Sequence, residues 1–537
     1  MYRLPLRRFT RCYSISKIES DRLGHAARKK LIAEDTQSYY PPIQSTRGTR
    51  MLKIPEFVNQ WSHHDFNQYD NKRFPELYQV EGKIRSIRAS GKGMYFIDVI
   101  QGDSKLQILA NNKLMNLSKD EFHQLHSFFR KGDIISGIGY PSTTNVGELS
   151  LKLSQPIRIL TPCLNSTMIP EELTQKSKIN TNRVLNYLVN QDSIDTMKIR
   201  SHIIQSIRTF FLNKQYLEVQ TPILTGAGTG ANAQPFTTHL KNSFFQNQPL
   251  QLRVAPELWL KKMVIGGFEK IFEIGVSFRN EGIDSTHNPE FTTCEFYQAY
   301  TSLPELIEIT ENLFQRLYLD LSTLNVPLLE RNLPDLVNLS KGNFPKYEFI
   351  PTLESITGKT LPSTLDSESL VDYHRALNQS LPSNLSSASL LDNLASIYLE
   401  PIISSKHPNT PVFLYNQPAE LSPLAKSTHI SYSSRSYEIS LRFECFINGK
   451  EYINAYEEEN NPFEQAKKFK LQQVQKADYN DNESLIPDWN YVNSLEYGLP
   501  PTGGWGCGID RLCMLFVGSD RIESVLPFGG LKDVFRN

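Results

Sequence analysis

The 537-residue sequence has no net charge, few cysteines and no long apolar run, and each of these absences excludes a class of protein. Basic and acidic residues both number 57, so no global charge marks the chain as nucleic-acid binding. The six cysteines form no C-x-x-C pair, which argues against a disulfide framework or a zinc ribbon. No stretch approaches the ~18 apolar residues of a membrane span, so we predict that this is not an integral membrane protein. A composition of 39% hydrophobic and 21% charged residues predicts a globular chain of about two to four domains.

The first 13 residues contain no acidic residue, and the first acid of the chain is Glu19. The same stretch carries the arginines Arg3, Arg7, Arg8 and Arg11. A cationic segment of this kind is drawn inward by a negative membrane potential, so residues 1–13 are predicted to be a mitochondrial presequence that directs the protein to the matrix. The predicted cleavage falls between Tyr13 and Ser14, and an ordinary disordered basic tail is the alternative.

Residues 71–163 have the strand pattern of a small barrel. Ser118 and Glu121 form a capping box that predicts a short helix. The β-rich runs around that helix are Val80–Arg88, Met94–Ile100, Lys105–Ala110, Asp133–Tyr140 and Glu148–Leu153. Three strands, a helix and two strands are the order of an OB-fold. The preceding residues 14–70, which carry a basic cluster at 28–30, are predicted to be a polar lead-in that is unstructured or loosely helical.

A second domain is predicted over residues 191–537, after a polar linker at 164–190. Apolar residues between 194 and 211 recur at helical spacing, which predicts a long amphipathic helix. Strand-rich segments follow at 250–300 and 438–456. The segment 325–430 is rich in Ser, Leu and Pro, and we interpret it as a variable insertion with little catalytic-looking content.

Charged and aromatic side chains are concentrated between residues 272 and 297. Side chains on a strand alternate with a period of two, so Arg279 and Glu281 are predicted to share one face. Glu295 and Tyr297 should likewise share one face of the next strand. Taken alone, an Arg-x-Glu pair is also typical of a surface ion pair. The chemistry-bearing residues of this run are Arg279, Glu281, His287, Phe291, Glu295 and Tyr297.

An Asn-Gly pair at 448–449 is a strong hairpin signal. A two-residue turn there pairs Phe446 with Glu451. Glu444 then faces Ile453, so Glu444 and Glu451 are predicted to emerge on the same face. Neighbouring carboxylates repel each other unless a cation lies between them, and Mg²⁺ with nucleotide phosphates is the natural candidate. Solvated strand glutamates are the alternative.

The run 272–297 closely resembles the second signature motif of class II aminoacyl-tRNA synthetases, and the whole sequence resembles the lysyl-tRNA synthetase family. The other resembling segments are 211–222 with 230–236 (the first motif, at the family's dimer interface), 252–258 (its amino-acid-binding strand) and 503–511 (the third motif). The resemblance implies an α+β chain, with an N-terminal OB-fold barrel that binds the anticodon. A class II catalytic domain follows, with an antiparallel sheet flanked by helices.

The resemblance also implies the reaction and its site. A homodimer would activate lysine with ATP to lysyl-adenylate and transfer it to tRNA(Lys). Arg279 would bridge the lysine carboxylate and the α-phosphate, and Arg511 would hold the γ-phosphate. Phe291 would stack on adenine, assisted by Glu281 and His287. Mg²⁺ would be held by Glu444 and Glu451.

The implied lysine pocket consists of acidic and hydroxyl side chains. Its members by resemblance are Glu295, Tyr297 and Glu458 for the ε-ammonium, Glu257 and the Gly230 backbone for the α-amino group, and Asn454 and Tyr456 beside them. Glu451 and Glu458 differ by an odd number of positions in the sequence, so strict alternation would place them on opposite faces. We therefore infer a β-bulge between them.

The barrel has three implied readers of the anticodon, Tyr95, Gln107 and Glu148. The resemblance also implies a contact of the barrel and of the basic cluster 28–30 with the nucleic acid. Core packing is the alternative for Tyr95, and an ordinary strand position is the alternative for the other two. For the whole chain, two rival functions are an aspartyl- or asparaginyl-type synthetase and a non-catalytic RNA-binding paralogue. The acidic Glu295 and Glu458 disfavour the first, and the presence of Arg279 and Arg511 disfavours the second.

Overall fold

The protein is described here by a computed structural model that covers residues 25–226, 233–240, 249–432, 435–479 and 487–535. The chain divides into two compact units, Met1–Glu172 and Leu173–Asn537. The predicted presequence, its cleavage point and Gly230 lie outside the described residues. Within those ranges no helix is long and apolar enough to cross a membrane.

The described part of the lead-in is folded, because its apolar side chains pack into the core of the barrel. Ile54, Phe57 and Trp61 are buried there. Its helices are α1 (His25–Glu34), α2 (Thr36–Tyr39) and α3 (Ile54–Trp61). Arg28 is buried and pairs with the buried Asp133 at 2.8 Å. The predicted nucleic-acid contact is therefore wrong for Arg28, whose guanidinium is directed into the protein.

The first unit contains a closed barrel in the predicted order of elements. Its strands are β1 (Arg50–Met51), β2 (Tyr78–Ala89), β3 (Met94–Gln101), β4 (Ser104–Asn111), β5 (Ile134–Thr143), β6 (Leu149–Leu153) and β7 (Arg158–Thr161). The sheet order is β1-β2-β3-β4-β6-β5-β7, and an additional β2–β5 pairing closes the barrel. Helix α4 (Lys119–His126) lies between β4 and β5 and begins at the predicted Ser118–Glu121 capping box. The OB-fold prediction is thereby confirmed.

The second unit is built on a mixed sheet flanked by helices. Its helices are α5 (Lys176–Thr181), α6 (Arg183–Val189), α7 (Gln191–Asn213), α8 (Glu257–Ile265), α9 (Leu303–Ser322), α10 (Pro327–Asn332), α11 (Phe349–Thr357), α12 (Ser367–Ala376), α13 (Ser387–Leu394), α14 (Glu400–Lys406), α15 (Pro462–Tyr479), α16 (Trp489–Leu495), α17 (Ile509–Val517) and α18 (Leu531–Val534). Apolar residues of α7, α9 and α17 pack against the sheet in one core. The predicted long amphipathic helix is α7.

The strands of this unit place the site residues on neighbouring positions. They are β8 (Leu217–Glu218), β9 (Leu224–Thr225), β10 (Thr237–Thr238), β11 (Leu250–Leu252), β12 (Lys270–Phe278), β13 (Glu290–Ala299), β14 (Lys346–Glu348), β15 (Val412–Tyr415), β16 (Ser427–Tyr432), β17 (Arg435–Ser440), β18 (Arg442–Ile447), β19 (Lys450–Glu457) and β20 (Thr502–Gly508). The main sheet has the order β14-β15-β18-β19-β20-β13-β12-β8. Its β18-β19-β20-β13-β12 centre is antiparallel. The α+β class is therefore confirmed.

The segment 325–430 is joined to the main sheet. Its strands β14 and β15 extend that sheet beyond β18. Its helices α11, α12, α13 and α14 supply apolar side chains to a second core, which also includes Val412, Leu414 and Phe446. The segment therefore supports one edge of the catalytic sheet through its own packing.

Candidate active site

A cavity of about 420 Å³ lies over the centre of the main sheet. The residues implied by the resemblance that line it are Glu257, Arg279, Glu281, His287, Phe291, Glu295, Tyr297, Glu444, Glu451, Asn454, Tyr456 and Arg511. Glu458 is fully buried next to Gly504 and Tyr456, behind the lining. The sheet thus gathers at one place residues that are up to 254 positions apart in the sequence.

Arg279 and Glu281 line the cavity from a loop, because β12 ends at Phe278. The prediction that they share the face of a strand is wrong. The Asn280 N–H donates to the Gln234 carbonyl at 2.7 Å, so the chain leaves the β12–β13 ladder. The Arg279 guanidinium lies 5.2 Å from the centre of the Phe291 ring. Its buried Nε has no hydrogen-bond partner among the described residues, so this donor is available to an anion in the cavity.

The strand pair β13–β20 carries the other predicted pair. Tyr297 Oη donates a hydrogen bond to Glu295 Oε2 at 3.2 Å, which confirms that the two side chains share one face. Burial, reinforced by the charge of Glu257, raises the pKa of Glu295 to about 8. Gly504 of β20 lies between Tyr297 on one neighbouring strand and Tyr456 on the other. A Cβ at Gly504 would lie 2.7 Å from the Tyr297 ring and would collide with the Glu458 carboxylate, so only glycine fits this floor of the pocket.

Arg511 and His287 form a linked pair at the other side of the cavity. Arg511 Nη2 donates to His287 Nε2 at 3.0 Å. The His287 proton is therefore on Nδ1, which donates to Asp284 Oδ2 at 2.8 Å. Backbone N–H groups of Thr286 and His287 also donate to Asp284 Oδ1, and these bonds outweigh burial and lower the pKa of Asp284. Asp284 thus orients the histidine that orients the arginine.

The hairpin β18–β19 differs from the predicted register. Phe446 pairs with Glu451 as predicted, but Cys445 then pairs with Ile453 and Glu444 with Asn454. The predicted Glu444–Ile453 pairing is therefore wrong, because Tyr452 is an extra residue on β19. This is the β-bulge inferred between Glu451 and Glu458.

Glu444 and Glu451 place two carboxylates on the cavity lining, and carboxylate oxygens are the ligands that a divalent cation such as Mg²⁺ uses. Burial first, and then the charge of Glu444, raise the pKa of Glu451. A cation between the two carboxylates would remove that repulsion. Among the described residues, no group of three or more potential metal-ligating side chains is found. Two carboxylates with substrate oxygens are a usual arrangement for Mg²⁺ in nucleotide sites.

A buried lysine that the sequence did not single out lies behind the acidic end of the cavity. Lys261 is fully buried, and its Nζ lies 2.6 Å from Glu257 Oε1 and 2.5 Å from Glu458 Oε2. Tyr456 Oη donates to the same Glu257 Oε1 at 2.6 Å. The segment 252–258 is predicted to be an amino-acid-binding strand, but the observed strand β11 ends at Leu252. Glu257 is instead the first residue of helix α8.

Other contributors were also missed. Arg442 Nε donates to Asn454 Oδ1 at 2.9 Å, and its Nη1 donates to Ser422 Oγ at 2.9 Å. Its Nη2 pairs with Glu444. The segment 421–425, at the end of the predicted insertion, lines the cavity. Arg442 is near the hairpin glutamates in sequence, which was a usable signal, whereas the segment 421–425 has no chemical pattern.

The three barrel residues lie in two environments. Tyr95 is 5% exposed, and its hydroxyl hydrogen-bonds with His123 Nδ1 at 2.7 Å. Its ring packs beside Phe122, as the core-packing alternative describes. Gln107 is buried and donates to Glu148 Oε2 at 2.8 Å, so these two side chains meet although they are far apart in the sequence.

Comparison with known proteins gives matches over nearly the whole chain. Residues 175–532 match the family described as tRNA synthetases class II (D, K and N), and residues 78–160 match the OB-fold nucleic acid binding domain. A protein of Schizosaccharomyces pombe named "Lysine--tRNA ligase, mitochondrial" is 39% identical over 94% of this chain and 93% of its own length. A Saccharomyces cerevisiae protein of the same name is 37% identical over 98% of this chain and 96% of its own. A "Probable lysine--tRNA ligase, cytoplasmic" of Encephalitozoon cuniculi is 37% identical over 85% and 88%.

Proposed function

The chain belongs to the class II tRNA synthetases (D, K and N), and from this premise we infer that it is a mitochondrial lysine–tRNA ligase. The enzyme activates lysine with ATP and transfers it to tRNA(Lys). The observation that carries this inference is the polarity of the cavity, with the carboxylates of Glu257 and Glu295 at one end and the Arg279 guanidinium in the same lining. Lysine, with two ammonium groups and one carboxylate, has the complementary charges.

The reaction needs charge neutralisation and alignment, since the nucleophile is the substrate carboxylate. A lysine carboxylate oxygen attacks the α-phosphorus of ATP, a P–O bond forms, and the bond to the pyrophosphate leaving group breaks. Arg279 would hold both the carboxylate and the α-phosphate, for which a planar guanidinium is suited. Its buried, unpartnered Nε supports this role. Fixed donors of this kind stabilise charge that develops in the transition state.

Arg511 would hold the γ-phosphate, and His287 would keep that guanidinium in place. The Arg511–His287–Asp284 chain of hydrogen bonds supports this arrangement. Phe291 would stack on adenine with Glu281 beside it, and both line the cavity. Glu444 and Glu451 would hold Mg²⁺, which when bound supplies positive charge to the phosphates.

Lysine specificity is proposed to come from buried acids. Glu295, Tyr297 and Glu458 would recognise the ε-ammonium, and Glu257 with the Gly230 backbone the α-amino group. Asn454 and Tyr456 would complete the wall. A neutral or acidic side chain would leave these carboxylates uncompensated, which rejects it strongly. An aspartyl- or asparaginyl-type activity is disfavoured for the same reason.

The barrel is proposed to bind the anticodon through Tyr95, Gln107 and Glu148. The Gln107–Glu148 hydrogen bond supports a shared polar surface for base edges. Stacking on Tyr95 would require its ring to move out of the core.

A homodimer is proposed through the first motif. Apolar side chains are exposed there, with Leu212 at 49%, Leu217 at 50% and Leu224 at 47%. Clustered exposed apolar residues mark association surfaces. The proposed compartment is the mitochondrial matrix, which the arginine-rich residues 1–13 support.

Amino-acid-dependent ATP–pyrophosphate exchange across all twenty amino acids tests the function. Exchange is expected with lysine and with no other amino acid at comparable efficiency, and lysine should then be transferred to tRNA(Lys). Absence of exchange with every amino acid would refute the enzyme, and exchange with aspartate or asparagine instead of lysine would refute the specificity.

A further inference from the structure

Lys261 lies beneath the lysine pocket and is in contact with two of its acids. Its side chain is fully buried, and its Nζ bridges Glu257 Oε1 and Glu458 Oε2 at 2.6 and 2.5 Å. The rings of Tyr456 and Tyr491 lie 5.5 and 5.6 Å from the same nitrogen. Burying an ammonium is costly unless it is paired, so this lysine is held by carboxylates that belong to the substrate site.

The charges around Lys261 do not balance within the protein. Neighbouring ionic groups form complete pairs: Arg253 with Glu273 at 2.5 Å, Lys262 with Asp488 at 2.9 Å and Lys468 with Glu459 at 2.7 Å. In the pocket itself, Lys261 pairs with two acids, Glu257 and Glu458, and a third acid, Glu295, is their electrostatic neighbour. When all three carboxyl groups are ionised, the deficit is two positive charges, which equals the α- and ε-ammonium groups of one lysine.

The bridging geometry also selects which carboxylate oxygens stay available. Lys261 and Tyr456 both contact Glu257 Oε1, so the other oxygen of Glu257 makes no hydrogen bond with a described residue. Lys261 contacts Oε2 of Glu458, while the buried Oε1 of Glu458 has no hydrogen-bond partner among the described residues. Glu257 and Lys261 are one turn apart on α8, so the helix itself fixes their relative position.

We propose that Lys261 is a positioning residue that determines specificity: its ammonium joins Glu257 to Glu458 and sets the pocket charge so that two substrate ammonium groups complete it. The proposal rests on the proposed function. The ammonium orients the two acids and reduces their mutual repulsion. It does so without contacting ATP or the reacting carboxylate, so its effect belongs to lysine binding.

The experiment measures lysine-dependent ATP–pyrophosphate exchange and thermal unfolding of the full chain carrying Lys261→Met. The expected result is a rise of about 100-fold in the KM for lysine, with kcat and the KM for ATP within about threefold. Lys262→Met is the matched control, because it removes a neighbouring lysine that pairs outside the pocket, and it should leave the KM for lysine within about twofold.

The double variant Lys261→Met/Glu458→Gln separates charge balance from packing and also covers poor folding of the single variant. It removes one positive and one negative charge, so it should melt higher than Lys261→Met. Its KM for lysine should be no higher than that of Lys261→Met, although Glu458→Gln alone raises the KM. The proposal would be overturned if the increases in KM for lysine caused by the two single substitutions multiplied in the double variant. It would also be overturned by an unchanged KM for lysine in a folded Lys261→Met. If the wild-type enzyme uses lysine in the same assay, a negative result for the variants refutes the role of Lys261 and leaves the proposed lysine–tRNA ligase function intact.

Discussion

Each unit of the chain buries an ionic cluster, and the two clusters differ in how completely their acids are satisfied. In the barrel, Asp133 accepts hydrogen bonds from the Arg28 guanidinium and from the backbone N–H groups of Arg130 and Cys163. In the catalytic unit, buried Glu458 has an ion pair with Lys261 and an oxygen without a hydrogen bond among the described residues. Completed buried pairs hold a fold together, whereas an incomplete one is a place where a ligand can bind.

Because of this difference, substitution of a buried charged residue should have different consequences in the two units. In the barrel cluster both carboxylate oxygens of Asp133 are bonded, so loss of the pairing with Arg28 should affect stability alone. The pocket acids retain capacity, and burial together with neighbouring charge raises the pKa of Glu295 to about 8. Removal of a pocket member should therefore affect substrate binding before it affects folding.

The largest expected effect is at Arg279, which lines the cavity and whose Nε has no hydrogen-bond partner among the described residues. Arg279→Ala should lower lysine-dependent ATP–pyrophosphate exchange by about 10³-fold or more, since it removes charge stabilisation at the reacting phosphorus. Arg316→Ala, which removes an exposed arginine paired with Asp320, is the control and should retain wild-type exchange. Near-normal exchange by Arg279→Ala would show that the unpartnered donor has no role in activation.

The next effect is on the satisfied cluster of the barrel. Arg28→Met leaves Asp133 buried without its cation and should destabilise the barrel by about 3 kcal/mol. Hydrogen exchange of the β5 amides, followed by mass spectrometry, should become faster, while lysine-dependent exchange of pyrophosphate stays unchanged. Arg88→Met removes an exposed arginine that lies 3.7 Å from Asp98 and should leave β5 protected. Unaltered β5 protection in Arg28→Met would mean that the buried pair does not hold the lead-in.

Glu458→Gln should mainly raise the lysine requirement. We expect a KM for lysine increased by about 30-fold with a smaller change in kcat, because a charge in the pocket is lost while the phosphate-binding residues are intact. Glu459→Gln is the adjacent control, since Glu459 pairs with Lys468 instead. If the lysine KM responds equally to both substitutions, the assignment of Glu458 to the substrate fails.

The smallest effect is a pH dependence. With a pKa of about 8, Glu295 is protonated in the empty pocket at neutral pH, and only its ionised form pairs with an ammonium. Lysine binding should therefore strengthen by up to about tenfold per unit as pH rises toward 8, and level off above it. The Tyr297 hydrogen bond lowers the pKa of Glu295, so Tyr297→Phe should move the bend to higher pH. A KM for lysine that is flat between pH 6 and 8 would contradict this assignment.

Features with a local sequence signal were predictable. The capping box at Ser118, the order of barrel strands and helix α7 follow from patterns within short windows. Most of the cavity-lining residues could be named because the resemblance supplies them in order. Physical reasoning from the residues alone left surface ion pairs and solvated glutamates as alternatives.

Features that depend on tertiary contacts were not predictable. Lys261 looks like an ordinary helical lysine, because its burial results from α16 and the end of β19 packing over α8. The end of β12 before Arg279 depends on a hydrogen bond to Gln234, which is distant in sequence. The contribution of residues 421–425 arises only because the segment before them extends the sheet.

The extra residue Tyr452 shifts the alternation of side chains along strand β19 by one position. Residues before it, including Glu451, are in one phase of the up–down alternation, and residues after it, including Asn454 and Tyr456, are in the shifted phase. Deletion of Tyr452 would remove the bulge and leave Glu451, Asn454 and Tyr456 on one face of a regular ladder, whereas a regular pairing that kept Tyr452 would turn Asn454 and Tyr456 into the sheet core. Glu451, proposed for the metal, and Asn454 and Tyr456, proposed for the amino acid, thus differ in sequence parity, and the one extra residue between them allows all three to line the same cavity.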